Sequence, residues 1–489
     1  MTIASSCRMK EIDRRTIEEY GFSDIILMEN AGIRILELGW KLTGFTKNTQ
    51  LVCLAGGGNN GGDALVIARQ LYSQGYKRIN IIKVSEKGSA AQKTHLNICR
   101  NLGIQIIDFP DGEAGEVIQN AEIIFDGIAG TGISGALRNP LPELIELINS
   151  SRALRIAIDV PSGTGESFRA GFPAVKADYT LTVGLPLRCL YLPDVRPFCG
   201  EIYTVPIGFP EELKAEKQEP DGIECELITE DYIERLMPKL PGNSFKNRRG
   251  HLAVFGGSRG TIGAASLCAE AALRTSAGLV SLYSDADIYG IYASRHTSVM
   301  VKPLPEPEDL KNKMASWSAV AVGPGWGTEG REELLSVLLK EGRGVLDADG
   351  INTLAFMPGR STIDLGGRWI LTPHPGEFRK LFPDADIINR PYSEVVDAAR
   401  LLNCVILLKG HVSYIADPAG RCAVLDGNYP KLGTAGSGDL LAGLIGGYAA
   451  SGMEPFDAAV LGAALHLRGG RRCGAEHDWF SSEDLLEYL

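Results

Sequence analysis

The sequence predicts an α/β protein of two domains, each a mostly parallel sheet covered by helices on both faces. Three observations predict it. Short apolar runs alternate with helical patterns through most of the 489 residues, the pattern of strands buried between two helical layers. Each half carries one glycine-rich loop ending in aspartate, placed where a strand or turn hands over to a helix. The alternation stops once, over residues 209–226, where Glu, Lys and Pro crowd together without apolar periodicity, and then restarts.

Residues 7–40 read as two helices, because Ile12 and Ile17, then Ile26, Leu27, Ile33 and Leu36, recur at helical spacing. Apolar strand runs follow at 51–55, 79–83, 105–107, 123–125, 156–158 and 179–183, with helix patterns between most of them, as at 64–73 and 92–101. Past the break, strands are expected at 252–255, 279–283, 319–322, 345–347, 369–372 and 405–408, and a helix of small residues at 440–450. The two halves are not copies of each other. The expected division is a first domain at 1–212, a linker at 213–226 and a second domain at 227–489.

Bulk properties narrow the function classes. Apolar residues make up 44% and charged residues 22%, ordinary values for a globular protein. A net charge of −11 without a long basic block argues against nucleic-acid binding through a broad positive surface. Phosphorylated ligands must then be held by local glycine loops, lysines and metal ions. The ten cysteines are scattered with no C-x-x-C pair, which predicts a reducing compartment and no structural zinc. The N-terminus lacks an apolar core, so no secretory signal is expected, and no run approaches membrane-spanning length. A cytoplasmic protein, forming a homo-oligomer and binding no membrane, is the expectation.

In the first loop, Gly56, Gly58 and Gly61 satisfy G-x-G-x-x-G after a strand and before a helix. A dinucleotide oxidoreductase also wants an acid closing the next strand to hold the ribose, and here that strand ends on Lys83. The other strand ends are more informative: Asp126-Gly127 follows one, Asp159-Val160-Pro161-Ser162 another. Ligands of open α/β sheets bind beyond the carboxyl ends of strands, where Asn60, Asp63, Asp126, Asp159 and Ser162 converge. Taken one at a time, Asp159 and Ser162 also read as helix or turn caps.

The stretches GGGNNGGDALVIARQL, DGIAGTGISGAL and IDVPSGTG resemble the YjeF N-terminal domain family, epimerases of hydrated NAD(P)H, and imply a Rossmann-like three-layer domain. By that resemblance Asn60, Asp126 and Ser162 are ligands of a potassium ion, an oxygen-only set suited to a hard cation. Asn59, Asn60, Gly61, Gly62 and Asp63, the run Gly130, Thr131, Gly132, Ile133, Ser134, Gly135 and Ala136, and Asp159 would line the substrate. For the general acid/base two candidates stand open: Asp126, which is well placed, and Lys83.

The second loop reads Gly433-Thr434-Ala435-Gly436-Ser437-Gly438-Asp439. A Walker lysine loop is absent, which argues against a P-loop ATPase. Glycine N–H groups at a helix start can stabilise developing phosphoryl charge while Asp439 takes a proton from a hydroxyl; the simpler alternative is an aspartate favoured by the helix dipole. Four turns accompany it at strand ends: Gly323 to Gly327, Asp347 to Gly350, Thr372 to Glu377, and Lys409-Gly410-His411. Lys409 can meet nucleotide phosphates and Glu377 a magnesium-bound water, whereas His374 and His411 taken singly read as loop residues.

VFGGSRGTIGAASLCAEAALRTSAGLV, GPGWG, LDADGINTL, TPHPGEF, LLKGH and GTAGSGDLLAG resemble the ribokinase-like YjeF C-terminal family, nucleotide-dependent dehydratases of hydrated NAD(P)H. The resemblance implies a ribokinase-like α/β domain using Mg2+ with ADP or ATP; the fused arrangement favours ADP. Gly325, His374, Pro375, Gly376, Glu377 and Asp439 would meet the hydrated substrate, NADHX or NADPHX. Lys409, Gly410, His411, Val412 and Ser413, with Gly433, Thr434, Ala435, Gly436, Ser437 and Gly438, would hold the nucleotide, and Asp439 would be the base. The rival reading is a ribokinase-like small-molecule kinase joined to a non-catalytic Rossmann-like binding domain.

Overall fold

The computed structural model describes residues 1–110, 112–216, 219–360 and 363–489. The chain divides into two compact units, Thr2–Gly222 and Ile223–Leu489.

The first unit is built on β1 (Leu51–Ala55), β2 (Ile79–Lys83), β3 (Gln105–Asp108), β4 (Ile123–Gly127), β5 (Leu154–Ile158), β6 (Tyr179–Val183) and β7 (Glu201–Val205), hydrogen-bonded in the order β3-β2-β1-β4-β5-β6-β7 with every pair parallel. Every residue of β1 is buried, and its side chains alternate between two cores. Leu51, Cys53 and Ala55 pack beneath α2 (Asp24–Thr43), α3 (Asn59–Ser73) and α4 (Ala90–Asn101), with Ile35, Leu65 and Leu96. Val52 and Leu54 face α5 (Gly112–Gln119) and α6 (Leu141–Ser150), with Ile118 and Ile148. This is the three-layer Rossmann-like arrangement. Strand order reverses between β1 and β4, so the loops after those two strands open the crevice at which such sheets bind ligands. α1 (Ser6–Glu18) precedes α2 and starts on Ser5, whose side chain accepts from the Arg8 N–H.

The polar strand β7 was not expected from the sequence. The stretch 209–226, expected to be a linker, carries the short helix α7 (Glu211–Ala215) with Leu213 buried, and ends in β8 (Glu224–Leu227) of the second unit.

The second unit continues with β9 (His251–Phe255), β10 (Leu279–Ser284), β11 (Met300–Pro303), β12 (Ala319–Val322), β13 (Gly344–Leu346), β14 (Trp369–Leu371), β15 (Val405–Leu408), β16 (Val412–Ala416) and β17 (Arg421–Asp426). Their order is β8-β17-β16-β15-β14-β13-β12-β9-β10-β11. From β11 to β15 all neighbours are parallel; β16 and β17 form an antiparallel hairpin, and β8 runs parallel to β17. Of these, β8, β11, β16 and β17 were missed by the periodicity reading. The helices are α8 (Glu230–Leu236), α9 (Ile262–Ala272), α10 (Tyr289–Arg295), α11 (Pro307–Met314), α12 (Glu332–Glu341), α13 (Ala348–Phe356), α14 (Pro375–Leu381), α15 (Pro391–Leu402), α16 (Ser437–Ala450), α17 (Pro455–Glu476) and α18 (Ser482–Leu486). α16 is buried nearly all round. A Cβ at Gly443 would overlap the Cys268 carbonyl of α9, so small residues let these helix backbones approach closely. No helix among the described residues is long and apolar enough to cross a membrane.

Candidate active sites

The loop after β1 leads straight into α3. A Cβ on Gly56 would overlap the Ile128 carbonyl oxygen and one on Gly61 the Gly56 carbonyl, so neither position has room for a side chain. No side chain caps α3, and Gly58, Asn59, Asn60 and Gly61 line a cavity of about 510 Å³ at the strand ends. An uncapped helix start facing a cavity is suited to an anionic ligand.

Asp63 and Asp159 also line this cavity, with Gly130, Thr131, Gly132 and Ile133. Burial, then the charges of Asp159 and Asp13, push the Asp63 carboxyl well above the usual range. Asp159 has φ of 68°, the left-handed region. Its Oδ1 accepts from Val183 N at 3.1 Å and Thr182 Oγ1 at 3.2 Å, which tie the end of β5 to β6 rather than capping a helix. Burial raises its pKa against those two bonds.

Asp126 is fully buried behind the cavity as the penultimate residue of β4. Its Oδ1 accepts from Ser162 Oγ at 2.6 Å and from Ile128 N at 3.3 Å, and its Oδ2 from Ser162 N at 2.8 Å. Burial pushes it up to about 6, opposed by those hydrogen bonds. Asn60 Nδ2 donates to the Ile158 carbonyl at 2.6 Å, which turns Oδ1 toward Gly130. Asn60, Asp126 and Ser162 thus gather around the 128–130 segment, where Ala129 N donates to Ser162 Oγ at 2.9 Å.

Other expected residues lie elsewhere. Gly62 is a packing glycine: a Cβ there would overlap Met28 Sδ. Ser134, Gly135 and Ala136 fall beyond the cavity lining, and Gly135 N donates to Ser167 Oγ at 3.1 Å. Lys83 lies off the cavity, on β2, pairing with Glu86 at 2.7 Å and Asp108 at 2.8 Å. Burial would lower its pKa, but Asp108 and Glu86 outweigh it and raise it above the usual lysine range. Sequence reasoning missed Ser6, Lys10 and Asp13 of α1 and Asp24 of α2, all of which line the cavity. Those helices precede the sheet and carry no glycine or strand-end signal.

In the second unit, Asp439 sits in the first turn of α16. Gly436, at φ 87°, precedes the helix, and no side chain caps it. Burial, then Asp347 and Asp349 against the opposing Lys409, pushes the Asp439 carboxyl up to about 7. Lys409 Nζ lies 2.7 Å from Asp347 Oδ1, which also accepts from Thr372 Oγ1 at 2.7 Å. A Cβ on Gly438 would lie 3.6 Å from the same Nζ, which places the ammonium beside the start of α16. Asp349 Oδ2 accepts from Gly327 N at 2.8 Å, linking the turns after β12 and β13. His374 and Glu377 form a capping box at α14: Glu377 Oε2 accepts from His374 N at 3.0 Å, and His374 Nδ1 accepts from Gly376 N at 2.9 Å.

A second cavity, of about 460 Å³, is lined by Lys409, Gly410, His411, Ser413, Gly433, Thr434, Ser437 and Gly438. Leu407, Leu425, Leu432, Leu441 and Leu467 give it an apolar side. Val412, Ala435 and Gly436 stand behind the lining: Val412 is buried in β16, the Ala435 carbonyl accepts from Ser482 Oγ at 2.6 Å, and Gly436 packs on Leu267. Gly325, His374, Pro375, Gly376 and Glu377 lie outside this cavity, on turns that follow β12 and β14. His466 of α17 completes the lining and was not singled out from the sequence, where it is a lone histidine in an apolar helix.

Two glycine-loop sites on two different, mostly parallel sheets define a two-site α/β protein built to handle nucleotides. The family model described as YjeF-related protein N-terminus matches residues 24–189, and that described as NAD(P)H-hydrate dehydratase matches residues 252–489. A bifunctional NAD(P)H-hydrate repair enzyme of Moorella thermoacetica is 31% identical over 513 aligned residues, covering 100% of this chain and 96% of that protein. One from Coxiella burnetii is 31% identical, covering 96% of this chain and 94% of that protein. A ribokinase-like superfamily protein of Enterococcus faecalis matches with a TM-score of 0.50 and 24% identity, over 54% of this chain and 94% of that one, a likeness of fold. The chain belongs to the family of bifunctional NAD(P)H-hydrate repair enzymes.

Proposed function

We infer that this chain repairs hydrated NADH and NADPH, the first unit interconverting the R and S epimers and the second dehydrating the S epimer at the expense of a nucleotide phosphoryl group. One observation carries the chemistry: a half-buried aspartate, Asp439, with its carboxyl pushed up to about 7, stands at an uncapped helix start beside Lys409. A base whose pKa lies near the working pH is suited to taking a proton from a hydroxyl. Asp439 accepts the proton of the ring hydroxyl, whose oxygen bonds to the nucleotide's terminal phosphorus as the P–O bond to the leaving nucleotide breaks. The C–O bond then breaks with release of phosphate, and loss of the neighbouring ring proton restores the double bond. The first-turn N–H groups of α16 and Lys409 hold the phosphoryl oxygens, and the leucine-lined side of the second cavity suits the base.

Asp347, Asp349, Glu377 and Asp439 outnumber Lys409 here, a charge balance that favours Mg2+ arriving with the nucleotide and held through waters, since among the described residues no three acidic, histidine or cysteine side chains form a ready-made metal cluster. When bound, Mg2+ neutralises phosphate charge. We place ADP ahead of ATP as the donor. In the first unit the oxygen set of Asn60, Asp126 and Ser162 fits a potassium ion, because among the described residues no cationic side chain offsets the buried Asp126 carboxylate. That cation would fix the loop holding the substrate between Asn59, Gly130 and Asp159. A cytoplasmic homo-oligomer belongs to the same proposal, and ten scattered cysteines without a C-x-x-C pair suit a reducing compartment. The test is incubation with mixed NADHX epimers and ADP or ATP, following reduced-nicotinamide absorbance and phosphate. Return of absorbance with phosphate release is expected; a phosphorylated product with no reduced nicotinamide would instead establish a small-molecule kinase.

A further inference from the structure

His466 is a buried titratable group that the chemistry above does not use. It lies on α17, which runs antiparallel to α16: a Cβ on Gly462 would run into Ile445 in the body of α16, while His466, one turn further along, reaches Ser437 at the start of α16. His466 Nε2 and Ser437 Oγ are 3.0 Å apart, both residues are buried, and both line the second cavity. Burial, opposed by a hydrogen bond to the Ser437 backbone and aided by the nearby Lys409 charge, lowers the imidazole to about 4, which favours the neutral ring. A neutral imidazole has one donor nitrogen and one acceptor nitrogen, and adds no charge to compete with Lys409.

We propose that His466 is a positioning residue for phosphoryl transfer: its Nε2–H donates to Ser437 Oγ, leaving the serine's own proton directed at the transferring phosphoryl group. Ser437 is the first residue of α16, so its hydroxyl stands among the N–H groups that meet that group. The hydroxyl becomes a further donor in the anion site, held in place before the nucleotide arrives. Had Ser437 donated to the ring instead, its oxygen lone pairs would face the phosphoryl oxygens and repel them. This rests on the phosphoryl-transfer reading above.

The experiment uses the full chain with S-NADHX and either ADP or ATP, comparing H466F, H466Q, S437A and the H466F/S437A double variant. Glutamine can present an N–H near the place of Nε2; phenylalanine fills the volume without one. H466F and S437A are each expected to lower the dehydratase kcat by about tenfold, a charge-assisted hydrogen bond lost from the transition state, with nucleotide KM within about threefold of wild type. The double variant should be no slower than the slower single variant, because both remove the same contact. H466Q should recover to within about threefold of wild type. A wild-type kcat in S437A or H466F, additive losses in the double variant, or H466Q as slow as H466F overturns the assignment. If H466F does not fold, S437A and H466Q still decide it. Absence of dehydration by the wild-type chain would instead remove the underlying reading.

Discussion

Asp126 and Ser162, 36 residues apart, are joined twice: the serine hydroxyl donates to Oδ1 at 2.6 Å and its backbone N–H to Oδ2 at 2.8 Å. The strand end of β4 and the loop after β5 are therefore one hydrogen-bonded unit under the first cavity. The buried carboxyl is held by these two bonds and by a third from Ile128 N, and its burial pushes it up to about 6.

Asp126→Ala removes both acceptors and leaves Ser162 N and Oγ without their partner. Epimerisation should fall by about tenfold or more while dehydration in the other unit stays within about twofold, since the sites share no residues. Wild-type epimerase activity should rise when potassium replaces a bulky organic cation such as tetramethylammonium, and the variant should lose that response. An unchanged epimerase rate in the variant removes Asp126 from the site.

Gly56→Ala tests the close approach of the first loop. The new methyl group would overlap the Ile128 carbonyl oxygen, which is backbone and cannot rotate away. The first unit should lose roughly 1–3 kcal/mol of stability, read as a lower denaturant midpoint, with epimerase activity reduced further by displacement of the loop. Gly75→Ala is an instructive control, because open space surrounds that position but φ is 88°. It should show only the smaller backbone cost of about 1–2 kcal/mol. Equal midpoints for Gly56→Ala and wild type would mean that this loop is not packed as described.

Much of this architecture was legible in the chain, and the residues explain why. β1 was readable because all five side chains are buried, giving an unbroken apolar run before the glycines. β12 and β15 were readable for the same reason. β7 was not, because at the sheet edge Glu201, Ile202, Tyr203 and Thr204 keep partial contact with water and show no apolar run. The hairpin β16–β17 carried a turn signal, Asp417-Pro418-Ala419-Gly420, but it is an antiparallel addition to a parallel pattern. Strand-end aspartates pointed to the edge of each sheet at which the glycine loops lie, since a parallel sheet gathers those ends at one edge. Asp13, Asp24 and His466 come from helices distant in sequence, and only tertiary packing brings them to the cavities.

Division of labour between the units is tested by a shortened chain beginning at Ile223, where the second compact unit starts. It should dehydrate the S epimer and leave the R epimer to its spontaneous epimerisation. Enzymatic consumption of both epimers at equal rates, corrected for that background, would place epimerase activity in the second unit.

Asp439→Asn tests the base. Asparagine keeps the size of the side chain but cannot take a proton as a carboxylate does, so dehydratase turnover should drop by about 10²–10⁴-fold. Nucleotide binding should persist on Lys409 and the α16 N–H groups, and epimerisation should be unaffected. In the wild-type protein kcat/KM, which reports the free enzyme, should fall as pH drops below about 7, where the carboxyl takes up its proton. Stability carries the opposite sign. The folded protein holds this proton up to about 7 and the unfolded chain only up to 3.8, so the group's contribution falls as pH rises between those values and stays low above them. The nucleotide-free asparagine variant, which never buries that charge next to Asp347 and Asp349, should therefore melt above wild type, by a margin that widens from pH 5 to pH 8. A variant with normal turnover and no such margin would leave Asp439 as nothing more than a carboxylate favoured by the dipole of α16.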